Sequence, residues 1–204
     1  MNIHHYNALI FDFGGVLVNL DIEKCFQNFE NIGVKNIRNL LNEYIQIEFV
    51  ADYEKGLIDT QKFFNKIREF AHKEDLKDED LKKAWLSFLV DVPDEKLKML
   101  LDLRKNKKIY LLSNTNPLHI SMAKATYFSR GGHTIDDYFD QCFLSYEMKL
   151  AKPSVEIFNK VIETIGEKPE KCLFIDDSKK NIEAAKKIGI GTYLVENGIL
   201  EFEY

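Results

Sequence analysis

The chain has 204 residues, 45% of them hydrophobic and 30% charged, with a formal net charge of −5 at pH 7. This is the composition of an ordinary globular protein long enough to bury a substantial core, and its acidic balance argues against a nonspecific nucleic-acid binder. No apolar run approaches the roughly 18 residues of a membrane span, and the first residues lack the basic, apolar, small-residue order of a signal peptide, so a cytoplasmic location is expected.

His4 and His5 precede the first element and read as exposed. Asn7-Ala-Leu-Ile-Phe-Asp12 is a short apolar run ending in a charge and then Gly14-Gly15, the pattern of a buried parallel strand that runs into a loop. From about Asn19 to Asp91 the pattern changes to apolar residues at helical spacing, with no convincing strand. The stripes are Ile22, Phe26, Phe29 and Ile32, then Leu40, Tyr44 and Ile47, then Phe63, Ile67 and Phe70, then Leu81, Trp85 and Phe88. They predict packing faces of an inserted helical domain rather than a cofactor box. Hinges are expected around Val18 to Asp21 and Asp91 to Asp94. Pro93 marks the return, and Asp94 to Lys105 is predicted as a helix.

Four further apolar runs predict strands: Lys108 to Ser113, Gln141 to Leu144, Lys171 to Asp176 and Gly191 to Val195. Helical segments lie between them, at Pro117 to about Thr126, Ser154 to Ile165, and Ser178 to Ile188 before Gly189. Ser129-Arg-Gly-Gly-His133 reads as a polar surface loop, and Asp136-Asp137 as a turn or helix cap. Strand and helix thus alternate, which predicts an α/β fold: a Rossmann-like parallel sheet core over 1–18 and 92–204, with a helical cap inserted at 19–91. Cys25, Cys142 and Cys172 are odd in number and widely spaced among apolar neighbours, and read as reduced structural thiols.

Ligands of parallel sheets bind beyond the carboxyl ends of the strands, where Asp12, Ser113 and Asp176 all stand. Asp12 alone fits a metal ligand, a nucleophile or a loop cap. Asp176-Asp177 ends a second strand of the same sheet, so carboxylates distant in sequence converge, and such oxygen ligands suit Mg²⁺; capping of the helix that follows is the competing reading. Ser113-Asn-Thr-Asn-Pro117 opens a helix whose hydroxyl and N–H groups suit either phosphate or simple N-capping. Lys152, before Pro153, is placed to balance phosphate and the aspartates.

In this order the pieces resemble the four motifs of the haloacid dehalogenase-like superfamily: Phe11-Asp-Phe-Gly-Gly-Val-Leu17, Leu111-Leu-Ser-Asn-Thr115, Lys152-Pro153 and Phe174-Ile-Asp-Asp-Ser178. Ser113-Asn-Thr-Asn116 with His119 is most similar to the bacterial sugar-phosphatase branch that includes the alpha-glucose-1-phosphate phosphatase. The resemblance implies that Asp12 attacks phosphorus to form an aspartyl-phosphate, and that Asp12, the Gly14 carbonyl, Asp176 and Asp177 hold Mg²⁺. It further implies that Ser113, the Asn114 N–H and Lys152 bind the phosphoryl group. Asn19, Asn116 and His119 are candidate contacts to substrate.

Phosphatases of this superfamily usually carry an aspartate two positions after the nucleophile, as acid for the leaving oxygen, and here that position is Gly14. The expected substrate is therefore a small phosphate monoester with a good leaving group, such as a sugar 1-phosphate. A haloacid dehalogenase and a non-catalytic phospholigand-binding domain are the alternatives. The chain is expected to act as a monomer.

Overall fold

The computed structural model describes residues 2–40 and 48–202. The first strand, β1 (Ala8–Phe11), leads through a glycine loop to β2 (Asn19–Leu20). Among the described residues five helices follow: α1 (Ile22–Asn31), α2 (Ile37–Leu40), α3 (Glu48–Glu54), α4 (Thr60–Ala71) and α5 (Asp78–Leu86). The chain returns through β3 (Leu89–Asp91), α6 (Asp94–Arg104) and β4 (Lys108–Ser113). It continues as α7 (Pro117–Thr126), α8 (Ile135–Tyr138), β5 (Gln141–Leu144), α9 (Ser145–Met148) and α10 (Val155–Ile165). The last elements are β6 (Cys172–Asp176), α11 (Lys179–Lys186) and β7 (Gly191–Leu194).

Among the described residues, five strands form one parallel sheet in the order β5-β4-β1-β6-β7. Side chains alternate across a strand, and the two faces carry separate apolar clusters. Leu9 and Phe11 join Leu111, Ile175 and residues of α6, α7 and α8 on one side, whereas Ala8 and Ile10 join Phe174, α10 and α11 on the other. Burial on both faces explains why these strands read as unbroken apolar runs. The chain order reverses beside β1, whose neighbours are β4 and β6, and a ligand crevice is expected at such a switch point.

The helices after β2 carry an apolar core of their own. Phe26 and Phe29 of α1, Tyr53 of α3, Phe63 and Ile67 of α4, and Leu81 and Trp85 of α5 meet there, with Phe63 stacked on Tyr53 at 4.3 Å between ring centroids. Ile22 departs from its stripe and is 39% exposed, and Phe88 falls beyond the end of α5. Tyr44 and Ile47 lie outside the described residues.

The expectation of no strand within Asn19 to Asp91 is corrected. β2 and β3 pair antiparallel, with Asn19 opposite Asp91 and Leu20 opposite Leu89. Strands of two and three residues are too short to show a period of two, and this ribbon occupies both expected hinges. Asn19 donates its side-chain amide to Asp91 Oδ1 at 2.9 Å. The loop at 129–133 includes a turn at Arg130–Gly132 that is pinned to the core, because Arg130 donates to the Val92 carbonyl at 2.6 Å and to Asp94 at 2.8 Å. Asp137 caps its own turn by accepting from the Thr134 N–H at 2.7 Å. Cys25, Cys142 and Cys172 are free thiols. Among the described residues no helix is long and apolar enough to cross a membrane.

Candidate active site

β1 and β6 lie side by side with Phe11 level with Ile175, and the Asp12 N–H donates to the Ile175 carbonyl at 2.9 Å. The pairing therefore delivers Asp12 and Asp176 to the same height at the carboxyl edge. Carboxylate oxygens of Asp12, Asp176 and Asp177 lie within 4.8 Å of one another. Three hard oxygen donors so close would repel strongly without a cation, and they fit a divalent ion of the magnesium type.

Lys152 reaches this cluster from the segment before α10. Its Nζ stands 2.7 Å from both Asp12 Oδ1 and Asp176 Oδ2, and its side chain is 1% exposed. Asp176 is fully buried and heavily bonded, since it accepts from the Ser178 N–H at 2.7 Å and from the Asn181 amide at 3.0 Å, as well as from Lys152. Asp12 Oδ1 also accepts from the Phe13 N–H at 2.7 Å. Hydrogen bonding thus fixes one Asp12 oxygen.

Burial pushes the Asp12 carboxyl up to about 7, against the pull of Lys152, and nearby Asp176 raises it further. Burial also works against the charge on Lys152, but Asp12 and Asp176 outweigh it and leave the ammonium harder to deprotonate than usual. Asp177 is raised by burial and then by Asp176. A bound cation reverses this logic for the carboxylates by favouring their ionised forms.

The glycine loop sits against the same cluster. Gly15 has φ +71°, and a Cβ on it would stand 2.2 Å from Asp177 Oδ2, so the bare backbone is what admits that carboxylate. At Gly14 a Cβ would be 3.3 Å from Leu20 Cδ1, so the start of the helical insertion occupies the ground beside that position.

Ser113 is buried at the end of β4. Asn114 clamps the backbone of Lys152 in both directions, accepting from its N–H and donating to its carbonyl at 2.8 Å each. This holds the loop after β4 and the lysine segment in fixed register. Ser145 ties in a third element: its Oγ accepts from the Thr115 N–H at 2.9 Å and donates to the Glu54 carbonyl of α3 at 2.5 Å.

Asn116 and His119 are placed differently from the expectation that they touch substrate. Asn116 caps α7 by accepting from the His119 N–H at 3.1 Å, and it accepts from Trp85 Nε1 at 3.3 Å. The His119 ring stacks on Trp85 at 5.1 Å, with Nδ1 against the Asn116 amide at 3.1 Å and Nε2 against the Trp85 carbonyl at 3.2 Å. Burial lowers the imidazole pKa to about 4, so the ring is neutral, its Nε2–H donating and Nδ1 accepting. Their polar atoms are committed to joining α7 to α5. Two contributors carry no strand-end signal in the sequence, Asn181 in the first turn of α11 and Glu54 at the end of α3; Ser145, directly after β5, stands at a strand end and is absent from the sequence expectations.

A profile of the haloacid dehalogenase-like hydrolase family matches residues 6–189. A D-ribitol-5-phosphate phosphatase of Bacteroides thetaiotaomicron is 37% identical over 190 residues, covering 93% of this chain and 92% of that protein. A HAD family enzyme from the same organism, solved in complex with magnesium and inorganic phosphate, superposes with a TM-score of 0.90 at 42% identity, covering 95% of this chain and 96% of that one. A HAD-like family hydrolase of Porphyromonas gingivalis gives a TM-score of 0.88 at 34% identity, covering 96% and 93% of the two chains.

Proposed function

The chain belongs to the haloacid dehalogenase-like hydrolases, and from that premise we propose that this magnesium-dependent phosphatase hydrolyses a sugar or polyol phosphate carrying its phosphate on a terminal, primary carbon. The observation that carries the reading is the convergence of Asp12, Asp176 and Asp177 around one ion-sized space, with Lys152 buried against two of them. The substrate class is supported by the similarity to a D-ribitol-5-phosphate phosphatase across nearly the whole chain. Gly14 taken alone calls for a good leaving group such as a sugar 1-phosphate offers; a primary alcohol is the poorer leaving group, and it places the need for a proton elsewhere in the site.

Asp12 attacks phosphorus, and the bond to the leaving oxygen breaks to give an aspartyl-phosphate that water then hydrolyses. Lys152, already between Asp12 and Asp176, neutralises charge that builds on the phosphoryl oxygens, and Ser113 with the Asn114 N–H hold those oxygens. Asp12, the Gly14 carbonyl, Asp176 and Asp177 would hold Mg²⁺, whose positive charge would offset the charge of the phosphoryl oxygens beside the nucleophile. The helical insertion covers the site and limits the substrate to small molecules. The dehalogenase alternative gives no use to the Asp176-Asp177 pair, and the binding-module alternative none to a nucleophile.

The test is phosphate release with Mg²⁺ over a panel of terminal sugar and polyol phosphates, sugar 1-phosphates and simple alkyl phosphates. D-Ribitol 5-phosphate is expected in the leading group. Asp12→Asn should lower turnover by at least about 10³-fold. Turnover unchanged by that substitution would exclude Asp12 as nucleophile.

A further inference from the structure

A primary alkoxide leaves phosphorus slowly unless it is protonated as the bond breaks. The groups at the centre of the site are poorly suited to give that proton. Asp12 is the nucleophile in this reading, Asp176 and Asp177 are the carboxylates that would hold the ion, Lys152 is held between two carboxylates, and Gly14 has no side chain. The covering helices border the same residues and offer a carboxyl that can supply it.

A cleft of about 280 Å³ opens between α3 and the core, lined on the core side by Asn114, Ala151, Lys152 and Pro153 and on the helical side by Ala51, Glu54 and Lys55. Glu54 contributes the acidic side chain to this wall. Its position is set by the core: the Ser145 hydroxyl holds the Glu54 carbonyl at 2.5 Å and the Thr115 N–H at 2.9 Å, so the end of α3 is stapled to the loop carrying Ser113 and Asn114. Lys149, whose Nζ bonds the Gly56 carbonyl, fastens the same turn from the other side. The backbone that carries the Glu54 carboxyl is thereby fixed beside Asn114 and Lys152, two of the residues proposed to grip the phosphoryl group.

Resting on the phosphatase reading, we infer that Glu54 is the acid–base residue of this site, donating the proton to the leaving oxygen and recovering one from water. In the first step Asp12 forms its bond to phosphorus, the leaving oxygen departs with the bonding pair, and the Glu54 carboxyl protonates it, which releases the alcohol and leaves a carboxylate. In the second step that carboxylate takes a proton from water as the water oxygen bonds to phosphorus. Asp12 departs as carboxylate, inorganic phosphate is released, and Glu54 is protonated again. The desolvated setting suits both roles, because burial lifts the Glu54 carboxyl to about 7; Lys55 and Lys152 line the same cleft, and Lys149 bonds the turn that follows.

The experiment compares two esters in the full chain with Mg²⁺, reading the first step by rapid quench. D-Ribitol 5-phosphate has a leaving group that needs the proton, and p-nitrophenyl phosphate has one that does not. Glu54→Gln should slow formation of the phosphoenzyme from the alkyl ester by about 10²- to 10⁴-fold, while changing the nitrophenolate burst by less than about threefold. Its alkyl-ester rate should also lose the decline that the wild type shows as pH rises through about 7. Glu54→Asp keeps the acid but withdraws it by one methylene, and should lose an intermediate amount on the alkyl ester alone. Equal losses on both esters, or no loss on either, would overturn the inference while leaving the phosphatase reading intact. A wild type that cleaves neither ester would overturn the phosphatase reading, and this inference with it.

Discussion

Lys152 Nζ stands 2.7 Å from Asp12 Oδ1 and reaches Asp176 at the same distance, so one buried ammonium serves the nucleophile and a metal carboxylate at once. Removing it leaves two buried carboxylates facing each other. Lys152→Met should destabilise the metal-free protein by about 3 kcal/mol in urea unfolding, and added Mg²⁺ should recover part of that loss by substituting for the missing charge. Turnover should not recover, since the phosphoryl contact is gone.

Chelation should abolish phosphate release, and Mg²⁺ should restore it. Asp177 is the outermost member of the carboxylate group, and Asp177→Asn should raise the half-saturating Mg²⁺ concentration by roughly tenfold with a smaller effect on saturated turnover. A magnesium titration of activity separates the two effects. An unchanged half-saturation point would remove Asp177 from the ion's surroundings.

Gly15 offers a test that changes no charged group. An alanine there meets both an unfavourable φ of +71° and the Asp177 carboxylate at 2.2 Å. Gly15→Ala should cost about 1–3 kcal/mol of stability and weaken Mg²⁺ binding together, because relief of the contact displaces Asp177. Thermal unfolding with and without Mg²⁺ measures both; loss of stability with normal metal affinity would show that Asp177 adjusts freely.

His119 predicts a pH dependence. Its folded pKa of about 4 lies below the ordinary 6.5, so between those values the unfolded chain binds more protons than the folded one. Stability therefore rises with pH across this window, and the contribution of His119 is lost as pH falls from about 6.5 toward 4. His119→Gln should unfold more easily at neutral pH, through loss of stacking on Trp85, and should show a shallower loss of stability on acidification. Denaturant midpoints collected from pH 4 to 7 decide this, and parallel curves for the two proteins would contradict it.

The sheet and the Asp12, Ser113 and Asp176 positions were legible because buried parallel strands are near-continuous apolar runs and each ends abruptly in a polar residue, whereas Lys152 stood out by its place before Pro153 at the approach to a helix. The β2 and β3 pair was not, since two or three residues carry no period and their pairing partners are some 70 positions apart. Asn116 and His119 show the limit of reading a motif by neighbourhood. Adjacent in sequence to the loop after β4, they turn inward to Trp85, a contact that depends on how α5 packs on α7. Glu54 shows the converse, because nothing in its sequence surroundings distinguishes it from other acids on amphipathic helices. The Ser145 bridge to Thr115 and the Lys149 bond to Gly56 bring its end of α3 to the cleft.

The ribbon of Asn19 and Asp91 has an evolutionary consequence. The chain departs from the core and comes back to it at adjoining points, joined by the Asn19 amide and a pair of short strands. Whatever lies beyond this neck is, to the catalytic sheet, a loop whose ends are already tied, and loop length adds to the closure entropy only slowly. Changes in length past the neck can therefore leave Asp12 and Asp176 in register, provided they keep the two places where the helices are tied back to the core, Glu54 to Ser145 and Trp85 to Asn116 and His119.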